Sequence, residues 1–206
     1  MKKTFIRAAV FLMATLGIVV GAAGNAFACS DNPGPRSDEL AARLPQVNYG
    51  DHGRYALELQ LALRFHGYAT LQGTGTYAEN TLAAVQDFQR KNGINDSGIV
   101  GSKTWHALVG SIPIGLTHNS DDLARPAYGI NPGEVNAEKM FNLTNLLMRI
   151  YPYDVINGES DAYNPRLVSV VQDFQRRAGI RDSGIVGPLT WDALFQTVAV
   201  SGGWSC

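Results

Sequence analysis

Apolar residues recur every three or four positions in two stretches of the chain that nearly repeat each other. Leu82, Val85 and Phe88 share one face of a helix expected over 79–92, and Val168, Val171 and Phe174 share one face of a helix expected over 165–178. Asn164-Pro165 supplies an N-cap and a first-turn proline whose missing N–H is harmless there, while Glu79 holds the proline's place in the first stretch. Gly93 and Gly179 stand where a helix should stop, because glycine readily takes the left-handed conformation. A further helix is expected over 102–109 and 188–195, with Trp105 and Leu108, and Trp191 and Leu194, paired on one face. An earlier helix precedes each pair. Its apolar face is Tyr55, Leu59, Leu63 and Phe65 before Gly67 in one case, and Phe141, Leu143, Leu146, Leu147 and Ile150 before Pro152 in the other. These first helices come into register only if one residue is inserted or deleted.

The second half of the pattern is a literal repeat. Residues 85–108 and 171–194, 86 apart, agree at 18 of 24 positions. Each copy therefore reads as three short helices, and the fold class is all-α, two tandem three-helix domains. The Asp-Ser-Gly turns at 96–98 and 182–184 are expected to be tightened by the Asp side chain accepting backbone N–H groups. Residues 30–49 and 110–133 are rich in Pro, Gly, Asn and Asp and read as lead-in and linker. The expected organisation is 1–28 signal peptide, 29–49 lead-in, 50–110 first domain, 111–133 linker, 134–197 second domain and 198–206 tail. A linker of this length favours two units over one compact domain.

Charge and cysteine content add a compartment. Lys2, Lys3 and Arg7 precede an apolar run over 8–23, and Ala26-Phe27-Ala28 offers the small residues of a signal-peptidase site, so cleavage is expected after Ala28. Losing those three basic residues leaves 14 Lys and Arg against 18 Asp and Glu, a formal charge of −4 on 178 residues. A mildly acidic chain with no basic run argues against nucleic acid as a partner. No later stretch is apolar enough for a membrane span, so no membrane contact is expected after cleavage. Cys29 and Cys206 are the only cysteines and would be the first and last residues of the exported chain. In an oxidising compartment they are expected to form a disulfide. The rival is acylation of Cys29, although Ala26 and Phe27 depart from the usual lipoprotein signal.

Catalytic signatures are scarce. His52, His66, His106 and His118 form no His-Glu-x-x-His or His-x-His arrangement. Both cysteines sit at the termini, away from any histidine in sequence. There is no Gly-x-Ser-x-Gly and no phosphate loop. The expectation is a protein that is not an enzyme, with no cofactor and no metal.

The residues shared by the copies carry a resemblance. Leu59-Gln60, Gly67-Tyr68, Gly75-Thr76-Tyr77, Thr81, Ala84-Val85, Phe88-Gln89, Gly93, Val100-Gly101, Thr104-Trp105 and Leu108 resemble the pattern of the type 1 peptidoglycan-binding domain-like family. The second copy supplies Tyr163, Val170-Val171, Phe174-Gln175, Gly179, Val186-Gly187, Thr190-Trp191 and Leu194. It lacks the Leu-Gln and Gly-Tyr pairs, whose places fall near Leu146-Leu147 and Asp154-Val155, and both copies insert a serine in the Asp-Gly turn. The resemblance implies two three-helix wall-binding modules in a secreted, monomeric, non-catalytic protein of the bacterial cell wall, with peptidoglycan as partner. Phe88, Trp105, Phe174 and Trp191 read as core. Gln86, Gln89 and Arg90, recurring as Gln172, Gln175 and Arg176, are the candidate ligand-binding residues, helped by Tyr77 and Tyr163. Amide and guanidinium groups suit the amides and carboxylates of a stem peptide. The plainer alternative is a solvated helix face with an Asp–Arg pair at i, i+3. A different role on the same fold is an interaction or regulatory protein that binds a protein partner such as a wall hydrolase.

Overall fold

The computed structural model describes residues 35–110, 125–156 and 161–202. The expected signal peptide, Cys29, Cys206, Trp204 and residues 111–124 of the expected linker lie outside the described residues. The described chain is helical: α1 (Pro35–Arg43), α2 (Arg54–Phe65), α3 (Glu79–Lys91), α4 (Ser102–Val109), α5 (Ala137–Ile150), α6 (Tyr153–Ile156), α7 (Pro165–Arg177) and α8 (Pro188–Val200). Helices α2, α3 and α4 form the first three-helix unit, and α5, α7 and α8 the second. Asn164 caps α7 through its side chain, accepting from Leu167 N, and Pro165 opens that helix. Gly93 and Gly179 end α3 and α7 at positive φ. No described helix is long and apolar enough to cross a membrane.

Each unit is closed by pairs of isolated antiparallel bridges. Val47 pairs with Val100 and His52 with Thr76 in the first; Ile130 pairs with Val186 and Val135 with Ala162 in the second. Between these pairs the earlier partner shifts by 83 residues and the later one by 86. The copies therefore differ by a three-residue insertion between the first and second helices, not by one. In this register Val-Asn-Tyr-Gly-Asp at 47–51 matches Ile-Asn-Pro-Gly-Glu at 130–134. Both acidic side chains accept the backbone N–H of the asparagine three residues before, at 2.7 Å for Asp51 and 3.1 Å for Glu134.

The lead-in and the end of the linker belong to the cores. Leu40, Ala41, Leu44 and Val47 are buried with Trp105, and α1 packs on α4. Trp105 and Trp191 are wholly buried. An indole N–H cannot be left without an acceptor inside a core. Trp105 Nε1 donates to Pro45 O at 2.7 Å and Trp191 Nε1 to Tyr128 O at 2.9 Å. The segments that composition marks as connecting chain thus satisfy the largest core residue of each unit. The last helix is also longer than its apolar pairing suggests. α8 runs to Val200, and Val198, Ala199 and Val200 are buried.

That extension joins the copies. α8 lies against α2. Leu57 and Leu61 of α2 enter the core of the second unit, while Ala199 and Val200 of α8 enter the core of the first. The end of α7 meets the first unit backbone to backbone: a Cβ on Gly75 would lie 2.1 Å from Arg177 O, and one on Gly179 would lie 3.1 Å from Gly53 Cα. Arg54 Nη1 bonds Asp192 at 2.9 Å across the same seam.

Candidate functional site

Four of the eight residues expected to touch a ligand are inside the protein. Gln89 Nε2 donates to Ile99 O at 2.9 Å and Thr104 Oγ1 at 3.0 Å, and its Oε1 accepts from Gly98 N at 3.0 Å. Gln175 repeats this with Ile185 O, Thr190 Oγ1 and Gly184 N at 2.9, 3.0 and 2.9 Å. Both amides are buried, and each staples its Asp-Ser-Gly turn to the second and third helices. Tyr77 and Tyr163 are equally enclosed, donating to Gly98 O and Gly184 O at 2.6 Å. Burial pushes both phenols above their ordinary range. All four are enclosed and engaged in these bonds, although Gln175 also borders a shallow pocket beside its turn. The turn itself is tightened by the inserted serine rather than by the aspartate. Ile99 N and Ile185 N donate to Ser97 Oγ and Ser183 Oγ at 3.2 Å.

The other four lie nearer solvent. Gln86 and Gln172 are half-buried beside Gly98 and Gly184. Arg90 and Arg176 are exposed. Arg90 pairs with Asp96 at 3.1 Å and Asp87 at 3.6 Å, and Arg176 with Asp173 at 3.5 Å and Asp182 at 3.6 Å. The i, i+3 Asp–Arg pair is therefore present in both copies, as a solvated surface pair.

The concave surface lies on the neighbouring face of the second helix. In the first unit a groove of about 460 Å³ runs between α3 and the loop after α2, lined by Tyr68, Leu71, Gln72, Asn80, Ala83 and Asp87 among others. Tyr68 Oη donates to Asp87 Oδ2 at 2.8 Å. Lys91 Nζ sits 2.7 Å from the same carboxylate and 5.4 Å from the Tyr68 ring centre. The hydrogen bonds from Lys91 and then Tyr68 hold the Asp87 carboxyl below its usual range. The second unit repeats the constellation. Tyr151 Oη donates to Asp173 Oδ2 at 3.0 Å, and Arg177 Nε lies 2.8 Å from that carboxylate, its guanidinium 5.6 Å from the Tyr151 ring centre. Burial, foremost, raises the Tyr151 phenol.

Tyr151 is thus the counterpart of Tyr68, and Ile150-Tyr151 stands in place of Gly67-Tyr68, not Asp154-Val155. Leu59-Gln60 corresponds to Asn142-Leu143. Gln60 is buried and pins the loop before α3 through Gly75 N, Thr76 O and Thr81 Oγ1. The aspartates were visible as shared residues, but the tyrosines were separated by the wrong register. The Asn-x-Gly-acid match before each first helix was the signal that would have restored it.

The sequence profile of one family, described as "Putative peptidoglycan binding domain", matches residues 55–108 and 136–194. Together the two matches span more than half of the chain. The chain belongs to this family. Both of its copies are helical domains of this family, and each match takes in the tyrosine and the aspartate of its groove, the second stopping at Leu194 within α8. The pinning segments around Pro45 and Tyr128 each lie just before the match of their own copy.

Proposed function

We propose that this is an exported, non-catalytic protein that holds peptidoglycan reversibly through the grooves beside α3 and α7. The observation that carries the reading is the repeated tyrosine–aspartate–cation constellation, present in both copies of a peptidoglycan-binding domain although their first helices have diverged. A groove with an aromatic wall, a fixed carboxylate and a cation offers a ring face to aliphatic groups and polar atoms to peptide amides. That chemistry favours the stem peptide over the glycan. Export rests on the expected signal peptide over residues 1–28, and the terminal cysteines Cys29 and Cys206 would pair once outside the cell. Two grooves on one chain would raise avidity for a polymer that repeats its ligand.

Pelleting residues 29–206 with insoluble peptidoglycan sacculi stripped of teichoic acid tests this. Saturable retention, competed by soluble muropeptides, is the expected result. Tyr68→Ala and Tyr151→Ala should each weaken retention, and the double variant more. Protein left wholly in the supernatant would refute wall binding and direct attention to a protein partner.

A further inference from the structure

The two grooves are not equivalent, because the first unit roofs the second. The groove beside α7 opens into a cavity of about 710 Å³ whose walls come from both copies. The first unit supplies Arg64 of α2 with Leu71 and Gly73 of the following loop, and the second supplies Tyr151, Arg166 and Arg177. This volume lies in the range of small-ligand pockets. Its walls are held in place by the exchanged core residues and by the backbone contact of Gly75 with Arg177. Arg177 Nη1 also donates to Gly73 O at 2.9 Å, which ties the roof to the floor.

Charge separates this cavity from the open groove of the first unit. Position 80 is Asn, and its counterpart 166 is Arg. Arg166 is oriented by the carbonyls of Asp154 and Val155, which fix the guanidinium without neutralising it. The Arg64 guanidinium makes no hydrogen bond or ion pair among the described residues, the backbone carbonyl alone accepting from Gly67 N. Asp173 is engaged by Arg177 and Tyr151. Asp154, an exposed carboxylate at the rim, is therefore the one acidic lining residue not already held by Arg177. The same lining includes the apolar Leu71, Ile150, Val155 and Val170.

We propose that this cavity is a single composite site for the free terminal carboxylate of a short aliphatic peptide, formed only when both copies are present. The planar guanidinium of Arg64 or Arg166 takes the carboxylate as a fork, and the apolar wall takes small aliphatic side chains. The proposal deepens the wall-binding reading and rests on it for the source of the peptide.

The test is a titration of residues 29–206 with N-acetyl-alanyl-alanine into the millimolar range, followed by amide NMR shifts. Its C-terminal amide and glycerol phosphate are run alongside. Saturable shifts in 64–73 and in 150–177 together are expected with the acid, with the amide about tenfold weaker or more. Arg64→Gln should weaken the acid by a similar factor, and Ser169→Tyr, which fills the cavity from exposed α7 surface, should abolish binding. Lys103→Gln, a loss of the same charge on α4 outside the cavity, should change nothing. Equal binding of acid and amide, shifts confined to the Tyr68–Asp87 groove, tighter binding of glycerol phosphate, or no binding would each overturn the proposal. Sacculus retention separates the two readings. Retention without dipeptide discrimination sinks the composite site alone, whereas dipeptide binding in the cavity without retention sinks the wall reading alone.

Discussion

Gln89 and Gln175 illustrate how a polar residue on a helix can be core. The apolar spacing at 82, 85 and 88 marks one face, and position 89 lies on that same face, four residues from Val85 and seven from Leu82. Its repetition at 175 therefore reflects a shared structural need. The buried amide makes three bonds, to Ile99 O, Thr104 Oγ1 and Gly98 N. Gln89→Ala would leave those partners unsatisfied, so a loss of about 2–3 kcal/mol in urea unfolding is expected. Wall retention per folded molecule should be unchanged. A loss below about 0.5 kcal/mol would mean that the turn is held by other contacts.

At the scale of elements, helix ends follow local chemistry and the seam between copies follows glycine. Gly75 sits at φ +74 with Arg177 O where its Cβ would be, whereas Gly50, at φ +91, has open space around it. Gly50→Ala should cost only the backbone strain of a left-handed alanine, about 1–2 kcal/mol. Gly75→Ala adds a clash with backbone that cannot rotate away, so its cost should exceed that of Gly50→Ala by about 1 kcal/mol or more. Thermal denaturation of the two variants side by side measures the difference. Equal losses would show that the contact between α7 and the loop before α3 contributes nothing. The counterpart of Gly75 in the second copy is Asp161, and that of Gly53 is Asn136. The close approach is thus a property of one copy, as an asymmetric seam requires.

For the whole molecule, the shared packing of the seam predicts that the two copies unfold together and with a pH dependence. Leu57 and Leu61 on one side and Ala199 and Val200 on the other cannot leave their neighbours' cores independently. A single unfolding transition is expected for the two copies. Glu58 is buried in the seam, accepting from Gln196 Nε2 at 3.3 Å and Thr197 Oγ1 at 3.5 Å, with Arg54 Nε 3.7 Å away. Burial outweighs the Arg54 charge and raises its pKa to about 8. Between the ordinary glutamate range and pH 8, the folded chain holds a proton that the unfolded chain has released. The stabilisation present at low pH is therefore lost as pH rises through this window, with a slope of at most about 1.4 kcal/mol per pH unit. Urea midpoints should fall from pH 5 to pH 8. Glu58→Gln should flatten the profile and be the more stable protein at pH 8. Parallel profiles for the two proteins would show that Glu58 is ionised in the fold.

The sequence by itself determined that the chain is helical and duplicated, where α3, α4 and α7 begin and end, and that Trp105 and Trp191 are core. Those features are written in local periods, caps and an 86-residue repeat, which act over a few residues and need no tertiary context. Only the tertiary structure decided that Gln89, Gln175, Tyr77 and Tyr163 face inward, because enclosure depends on what the following turn brings over them. It also decided that residues near 45 and 128 complete each core, since a carbonyl acceptor for a buried indole leaves no mark in composition. The register that pairs Tyr151 with Tyr68 was legible but hidden behind an insertion. The seam between the copies, with its roofed cavity and buried Glu58, was not legible at all. It arises from contacts over more than a hundred residues, where patterns read along the chain carry no information about distance in space.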